Sequence, residues 1–345
     1  MSQNHQQLLE PGATPEDVDQ LVDRLHANYQ EMRRELGGVI VGMEEVTEQL
    51  MIAILCRSHC ILQGMPGLAK TLLISQLAEL MHLSFNRIQF TPDLMPADIT
   101  GGEVLEEDRT TGKRAFRFIP GPLFANVVLA DEINRTPPKT QSALLEAMEE
   151  RQLSIAGETH KLDEPFFVLA TQNPIEVEGT YPLPEAQLDR FLLKIKVGYP
   201  DREEEREICR RQTTGYRYQI QKVLEIEELV AMQRLVPEVI VSDQAYDAAI
   251  DLARMTRPEE GALPSDLADK VQYGAGPRAS IALLKAGKAR ALLNKRCHVT
   301  TEDIREVALP VLRHRVIPTF NAEAAGMDTD DIVRALVDLQ RSSAH

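Results

Sequence analysis

The stretch LQGMPGLAKT, residues Leu62 to Thr71, falls one residue short of the general nucleotide-loop pattern G-x-x-x-x-G-K-[ST]. Gly64 opens it and Lys70-Thr71 close it, but Ala69 stands where the pattern has glycine. The run before it, His59 to Gln63, reads as a buried strand, and LLISQLAELM after it reads as an amphipathic helix. In that context Gly64, Met65, Pro66, Gly67, Leu68 and Ala69 form a loop whose backbone groups cradle phosphate oxygens. Lys70 then reaches the β and γ phosphates of ATP, and the Thr71 hydroxyl holds Mg²⁺. Alanine at position 69 is compatible with this only at negative φ, as at the start of a helix, where its Cβ costs nothing. Taken alone, the stretch also reads as a Gly/Pro turn that opens a helix.

The chain of 345 residues is 43% hydrophobic, enough for a large core, and its length favours two domains. Residues 1–14 are polar, with no basic start followed by an apolar run, and no stretch approaches the roughly 18 apolar residues of a membrane span. A soluble cytoplasmic protein is therefore expected. Cys56, Cys60, Cys209 and Cys297 form no C-x-x-C pair and have no histidine at zinc-finger spacing, so reduced thiols are expected. With 38 basic against 53 acidic residues the net charge is -15, which repels phosphate backbones and disfavours nucleic acid as a partner.

A helix is expected from Thr14-Pro15-Glu16-Asp17, with Thr14 as its cap, to Gly37-Gly38, and another from Glu44 to Leu55. Five apolar runs read as buried parallel strands: His59 to Gln63, Phe85 to Phe90, Asn126 to Ala130, Phe166 to Thr171 and Phe191 to Val197. Their alternation with helical stretches predicts an α/β core over 15–199 with helices on both faces of a sheet. Two long connections carry hairpins near 99–121 and 151–164. The first turns at DRTTG with Lys113 to Phe118 as its return strand, and the second turns around Ala156-Gly157-Glu158. Past Tyr199-Pro200 and the charge run DREEERE the composition becomes helical, predicting a smaller all-helical lid domain over 200–317. Within it Thr300 and Asp303 form a capping box. A C-terminal tail, 318–345, carries a short helix near Asp330 to Leu339.

Four further places carry chemistry. Val127 to Ala130 is an apolar strand ending in adjacent carboxylates, at the edge where parallel sheets bind ligands. Asp131 there supports Mg²⁺, and Glu132 activates the attacking water. Asn173 ends another apolar strand and orients the water or the γ-phosphate, although Asn-Pro is also an ordinary turn. Arg190 precedes the last strand. It reads either as a surface arginine paired with Asp189 or as a finger reaching a neighbouring subunit's γ-phosphate. Arg278 follows Pro277 in the first turn of a helix, where the dipole disfavours a cation, so it is read as a lid contact to the nucleotide.

Together GMPGLAKT, LADEINRTPPKTQSALLEAMEERQ, FFVLATQNPIEVEGTYPLPEAQLDRF and GAGPRASIALLKA resemble the AAA+ ATPases and, more narrowly, their MoxR family. The resemblance covers residues 30–317. In that family alanine before the loop lysine is normal. The resemblance implies the roles already given to Lys70, Thr71, Asp131, Glu132, Asn173, Arg190 and Arg278, and an adenine pocket lined by Ile40, Val41 and Gly42. Met43 departs from the glutamine that the family often has. The hairpins look like the helix-2 and pre-sensor-1 insertions of one AAA+ branch, placed in the pore of a hexameric ring. Family members are chaperone-like motors that mature or assemble protein complexes, often with a metal site, and commonly work with a von Willebrand factor A domain partner.

The expected function is thus an oligomeric Mg²⁺-dependent ATP hydrolase acting on a protein client. One alternative is a nucleic-acid motor using Arg109, Lys113, Arg114 and Arg117 interleaved with Phe116 and Phe118. The neighbouring Glu103, Glu106, Glu107 and Asp108 offset that charge. Another is a slow nucleotide-gated assembly switch.

Overall fold

The computed structural model describes residues 15–107, 114–173, 179–258 and 263–343. The capping Thr14 with the tail 1–14, and the DRTTG turn with Arg109 and Lys113, lie outside the described residues.

Helices α1 (Pro15–Val39) and α2 (Glu44–Leu55) precede strand β1 (Cys60–Gly64) and helix α3 (Lys70–Leu80). Strand β2 (Phe85–Gln89) leads through α4 (Pro96–Thr100) into an antiparallel hairpin, β3 (Gly101–Glu107) and β4 (Arg114–Pro120). Strand β5 (Val127–Asp131) is followed by α5 (Pro138–Glu150) and a second hairpin, β6 (Gln152–Ile155) and β7 (Glu158–Lys161). Strand β8 (Phe167–Gln172), helix α6 (Glu185–Leu188) and strand β9 (Leu193–Val197) complete the α/β part.

All five expected core strands are present, and they form one parallel sheet in the order β2-β5-β8-β1-β9. The three inner strands are almost continuously buried, whereas β2 and β9 at the edges alternate or face out, which is why the inner ones read as unbroken apolar runs. Alternation sends their side chains to two cores. Leu62, Leu129 and Leu169 join Leu50 of α2 and Leu73 of α3 on one face, while Ile61, Val128 and Val168 join Leu144 and Met148 of α5 on the other.

Helix α1 runs through Gly37-Gly38 to Val39, past its expected end. The glycines serve another purpose: a Cβ on Gly38 would lie 2.6 Å from the Tyr218 ring, so the position admits a close approach rather than ending the helix. The second hairpin turns through Ala156 and Gly157 at φ 51° and 90°, the left-handed pair of a tight two-residue turn. Its His160 stacks on Phe118 of the first hairpin at 4.0 Å between ring centroids, so the two insertions touch.

The C-terminal part is helical: α7 (Arg202–Thr213), α8 (Ile226–Leu235), α9 (Asp243–Arg254), α10 (Pro277–Leu293), α11 (Thr301–Leu312), α12 (Phe320–Ala324) and α13 (Thr329–Ser343). Two small two-stranded ladders, β10 (Ile240–Val241) with β12 (His298–Val299) and β11 (Val271–Tyr273) with β13 (Ile317–Pro318), join these helices. Thr300 and Asp303 form the expected box at the start of α11. Asp303 does more than cap. It is fully buried and bound by Arg290 and Arg296, tying α10 to α11.

His59, just before β1, accepts from the Val168 N–H at Nδ1 (3.0 Å) and lies 3.0 Å from the Met148 carbonyl at Nε2, joining two strands and α5. With Nδ1 accepting, the neutral ring carries its proton on Nε2. Burial pushes its pKa down from 6.5 to about 4. The unfolded chain therefore binds one more proton than the folded one between those values, and stability must fall as pH drops through that window. From this residue alone the loss is about 3 kcal/mol between pH 7 and pH 4. Urea denaturation against pH checks it: wild type should lose stability more steeply than His59→Gln below pH 6.5, and equal slopes would contradict the assignment.

Candidate functional site

The loop at 65–69 leaves the C-terminal end of β1 and enters α3 at once. Ala69, the N-cap of α3, does not have the negative φ expected for it. It sits at φ 48°, ψ 21°, in the left-handed region, and Gly67 two residues earlier is at φ 85°. The physical reason is the turn itself: strand-to-helix reversal in five residues uses left-handed backbone at both positions, so the general pattern's glycine is a conformational choice. Alanine there carries about 1–2 kcal/mol of steric cost. Ala69→Gly should remove that and lose about 0.5–1 kcal/mol to added unfolded-state freedom. The expected outcome is a net gain of roughly 0.5–1 kcal/mol in urea denaturation; a loss would contradict a left-handed Ala69.

Helix α3 begins with no side-chain cap and no acid in its first turn. Its first N–H groups are thus left for a ligand, and the helix dipole favours an anion there. The bends at Gly67 and Ala69 give the loop the curvature of an anion-binding nest. These features fit a phosphate group. Lys70 Nζ donates to the Gly64 carbonyl at 2.7 Å, spanning the loop. Burial lowers the Lys70 pKa, and the nearby Asp131 and Glu132 oppose that shift. Beside the loop a cavity of about 590 Å³ is lined by Ile40, Val41, Gly42, Pro66, Gly67 and Tyr199, among others. Gly42 suits that place, because its φ of 74° lies in the left-handed region that favours glycine.

Parallel register brings the rest together. Gln63 lies level with Gln172 and Ala130 with Ala170, so Gly64, Asp131 and Asn173 end at one edge of the sheet. Asn173 is buried there. Glu132 leaves β5 in the left-handed region at φ 57°, ψ 50°. Its carboxylate accepts from Gln89 Nε2 (2.8 Å) and Arg135 Nη1 (2.9 Å). Asp131 Oδ2 accepts from Arg87 Nη2 at 2.6 Å, and Oδ1 accepts from the Thr171 hydroxyl at 2.6 Å. Gln89, Arg87, Arg135 and Thr171 are contacts that sequence reasoning missed. The available signal was weak: a polar end on β2, and one hydroxyl at the end of the apolar run FFVLAT. Thr71, the second residue of α3, is partly buried at the loop's end.

Arg190 and Arg278 are not at this edge. The Leu192 N–H donates to the His59 carbonyl, at the N-terminal end of β1, so Arg190 lies at the opposite end of the sheet from the loop. Five residues of strand separate the two ends, about 16 Å. Arg190 does not pair with Asp189. It reaches Glu149 at 2.8 Å and the Leu145 carbonyl at 3.2 Å, while Asp189 takes Arg315 at 2.7 Å and Arg278 at 3.5 Å. Arg278 follows Pro277 in the first turn of α10 as expected, but its anion in this chain is that carboxylate. Glu149, Asp189, Arg190, Arg278, Lys285 and Arg315 line one shallow cavity of about 260 Å³. Two arginines read as separate features thus form one patch.

Comparison with known proteins identifies the family and the fold. A model of the ATPase family associated with various cellular activities (AAA) matches residues 59–193, and an AAA lid domain model matches 265–336. The chain is similar to the YeaC protein of Bacillus subtilis (41% identity, 92% of this chain and 98% of that one). It is also similar to Chaperone MoxR1 of Mycobacterium tuberculosis (42%, 88% and 79%) and to Protein MoxR of Paracoccus denitrificans (30%, 93% and 97%). A crystal structure from Cytophaga hutchinsonii, of a protein assigned as an ATPase, superposes with a TM-score of 0.85 at 42% identity over 94% of this chain and 97% of that one. A parallel five-stranded core with this loop and acidic strand, a helical lid, and relatives of this name and extent leave one conclusion: the chain belongs to the MoxR family of AAA+ ATPases.

Proposed function

We propose that the chain is a Mg²⁺-dependent ATP hydrolase that assembles into a ring, hexameric by resemblance to its family. In this reading it is a chaperone-like motor in the maturation or assembly of a protein complex, working with a von Willebrand factor A domain partner. Membership of an AAA ATPase family implies nucleotide binding and ATP hydrolysis in general. The observation that carries the finer reading is the meeting, at one sheet edge, of an uncapped helix start, Lys70 and two adjacent carboxylates.

In this reading the loop Gly64 to Ala69 holds the phosphates, with Lys70 released from the Gly64 carbonyl to meet them. Ile40, Val41 and Gly42 hold the base. Thr71 and Asp131 would hold Mg²⁺, which supplies neutralisation of phosphate charge. Glu132 takes a proton from the attacking water, and Asn173 orients that water. Arg190 and Arg278 sit too far along the sheet to serve their own loop. Their shared patch supports their acting on the nucleotide of a neighbouring copy, which is why a ring is proposed. Arg114 and Arg117 pair with Glu107 and Glu106, which supports a protein client over a nucleic acid. No helix of the described residues is long and apolar enough to cross a membrane.

The test is ATP turnover against protein concentration, with Mg²⁺ and with a chelator, alongside the sedimentation of the ATP-bound protein. Turnover per chain that rises with assembly and disappears on chelation is expected. Full turnover by the monomer would overturn the shared-site reading. Capturing proteins on the ATP-bound Glu132→Gln form tests the partner, and a von Willebrand factor A domain among them is expected.

A further inference from the structure

Thr171, at the end of β8, is fully buried, and its hydroxyl touches both residues of the acidic pair on the neighbouring strand. It donates to Asp131 Oδ1 at 2.6 Å and accepts from the Glu132 N–H at 2.8 Å. A hydroxyl has one proton and two lone pairs, so donating to the carboxylate leaves a lone pair for the amide, and the two bonds are compatible only in this sense. The 2.6 Å distance is within the range of O–H···O hydrogen bonds.

The place of these bonds matters. The β5–β8 ladder pairs Ala130 with Ala170 and goes no further, and the next Glu132 N–H is taken by a side chain instead of a main-chain carbonyl. At that residue the chain leaves the sheet in left-handed backbone, φ 57° and ψ 50°, which a glutamate does not favour unaided. The other side chains that donate to the two carboxylates each reach one of them: Arg87 reaches Asp131, and Gln89 and Arg135 reach the far end of Glu132. The Thr171 hydroxyl, by contrast, is hydrogen-bonded to both residues through one oxygen.

We propose that Thr171 is a positioning residue for ATP hydrolysis, which through one buried hydroxyl sets the carboxylate of Asp131 and the backbone of Glu132 in a fixed relation. This rests on the reading of Asp131 as the metal-supporting group and Glu132 as the base. The hydroxyl takes no part in bond making or breaking. Its effect is orientation, and displacement of a reacting group by about 1 Å is enough to slow a reaction on the order of 10²-fold.

Thr171→Val keeps the β-branched shape and removes the hydroxyl, and Thr171→Ser keeps the hydroxyl and removes the methyl. Fluorescent-ATP binding with and without Mg²⁺, steady-state turnover and urea denaturation are measured for both, with Glu132→Gln alongside. For Thr171→Val the expectation is turnover lowered about 10²-fold with KM for ATP changed less than about threefold. Its Mg²⁺-dependent gain in nucleotide affinity should also shrink. Thr171→Ser should restore both to within about threefold of wild type. Near-normal turnover in Thr171→Val, or equal impairment in the two variants, would overturn the proposal. Should Thr171→Val fail to fold, Thr171→Ala against Thr171→Ser gives the same comparison. If Glu132→Gln turns over normally, the underlying base reading fails; if it is inactive while Thr171→Val is active, only the role of Thr171 falls.

Discussion

Replacing Glu132 by glutamine should leave ATP binding intact and reduce hydrolysis by about 10²- to 10⁴-fold, the usual contribution of a positioned general base. The substitution preserves the shape and the left-handed backbone of the residue, and an amide can still bond to Gln89 or Arg135 through its oxygen. What it loses is the ability to take a proton. The parts proposed to bind phosphate, the loop and the start of α3, lie on a different strand connection and are not altered. Equilibrium binding of a fluorescent ATP analogue and single-turnover hydrolysis separate the two effects. Wild-type hydrolysis in Glu132→Gln would place the base elsewhere, whereas loss of binding would mean that the carboxylate also holds the loop's shape.

Arg190→Ala should reduce hydrolysis by about 10³- to 10⁵-fold, the range measured for arginine fingers, with little change in ATP affinity. In a single chain the guanidinium is bonded to Glu149 and lies at the far end of the sheet from Lys70, so its removal should not disturb its own pocket. Mixing Arg190→Ala with Glu132→Gln distinguishes action across an interface from a structural effect. Neither variant alone should turn over. In a randomly mixed ring about one interface in four joins an intact pocket to an intact arginine, and turnover should return to about that fraction of wild type. With mixed assembly established by tagged pull-down, no recovery would rule out action between subunits. Arg278→Ala, from the same patch, should behave in the same way.

Much of the molecule was legible in the chain because its signals are contiguous. The five core strands are unbroken apolar runs where a strand is buried on both faces, and the acids at the end of VVLAD-E are adjacent letters. The hairpins announced themselves through turn residues, and Ala156-Gly157 adopted the backbone that such residues permit. Less legible were residues whose meaning depends on a partner. Gly37-Gly38 reads as a helix stop until Tyr218, far along the chain, occupies the space beside Gly38. Arg190 beside Asp189 reads as an ion pair, yet neighbours in sequence project differently, and each found a partner on another element.

By itself the sequence determined the architecture and the strand–loop–helix setting of residues 60–80, since spacing, apolar periodicity and element order are local properties that survive without a partner. Only the tertiary structure decided the left-handed state of Ala69, the hydroxyl of Thr171 joining the Asp131 carboxylate to the Glu132 N–H, and the placing of Arg190 with Arg278 in one patch at the far end of the sheet from the loop. The reason is that these depend on register. Parallel strands far apart in the chain must lie side by side before one can tell which residues share an edge and which lie at the opposite end.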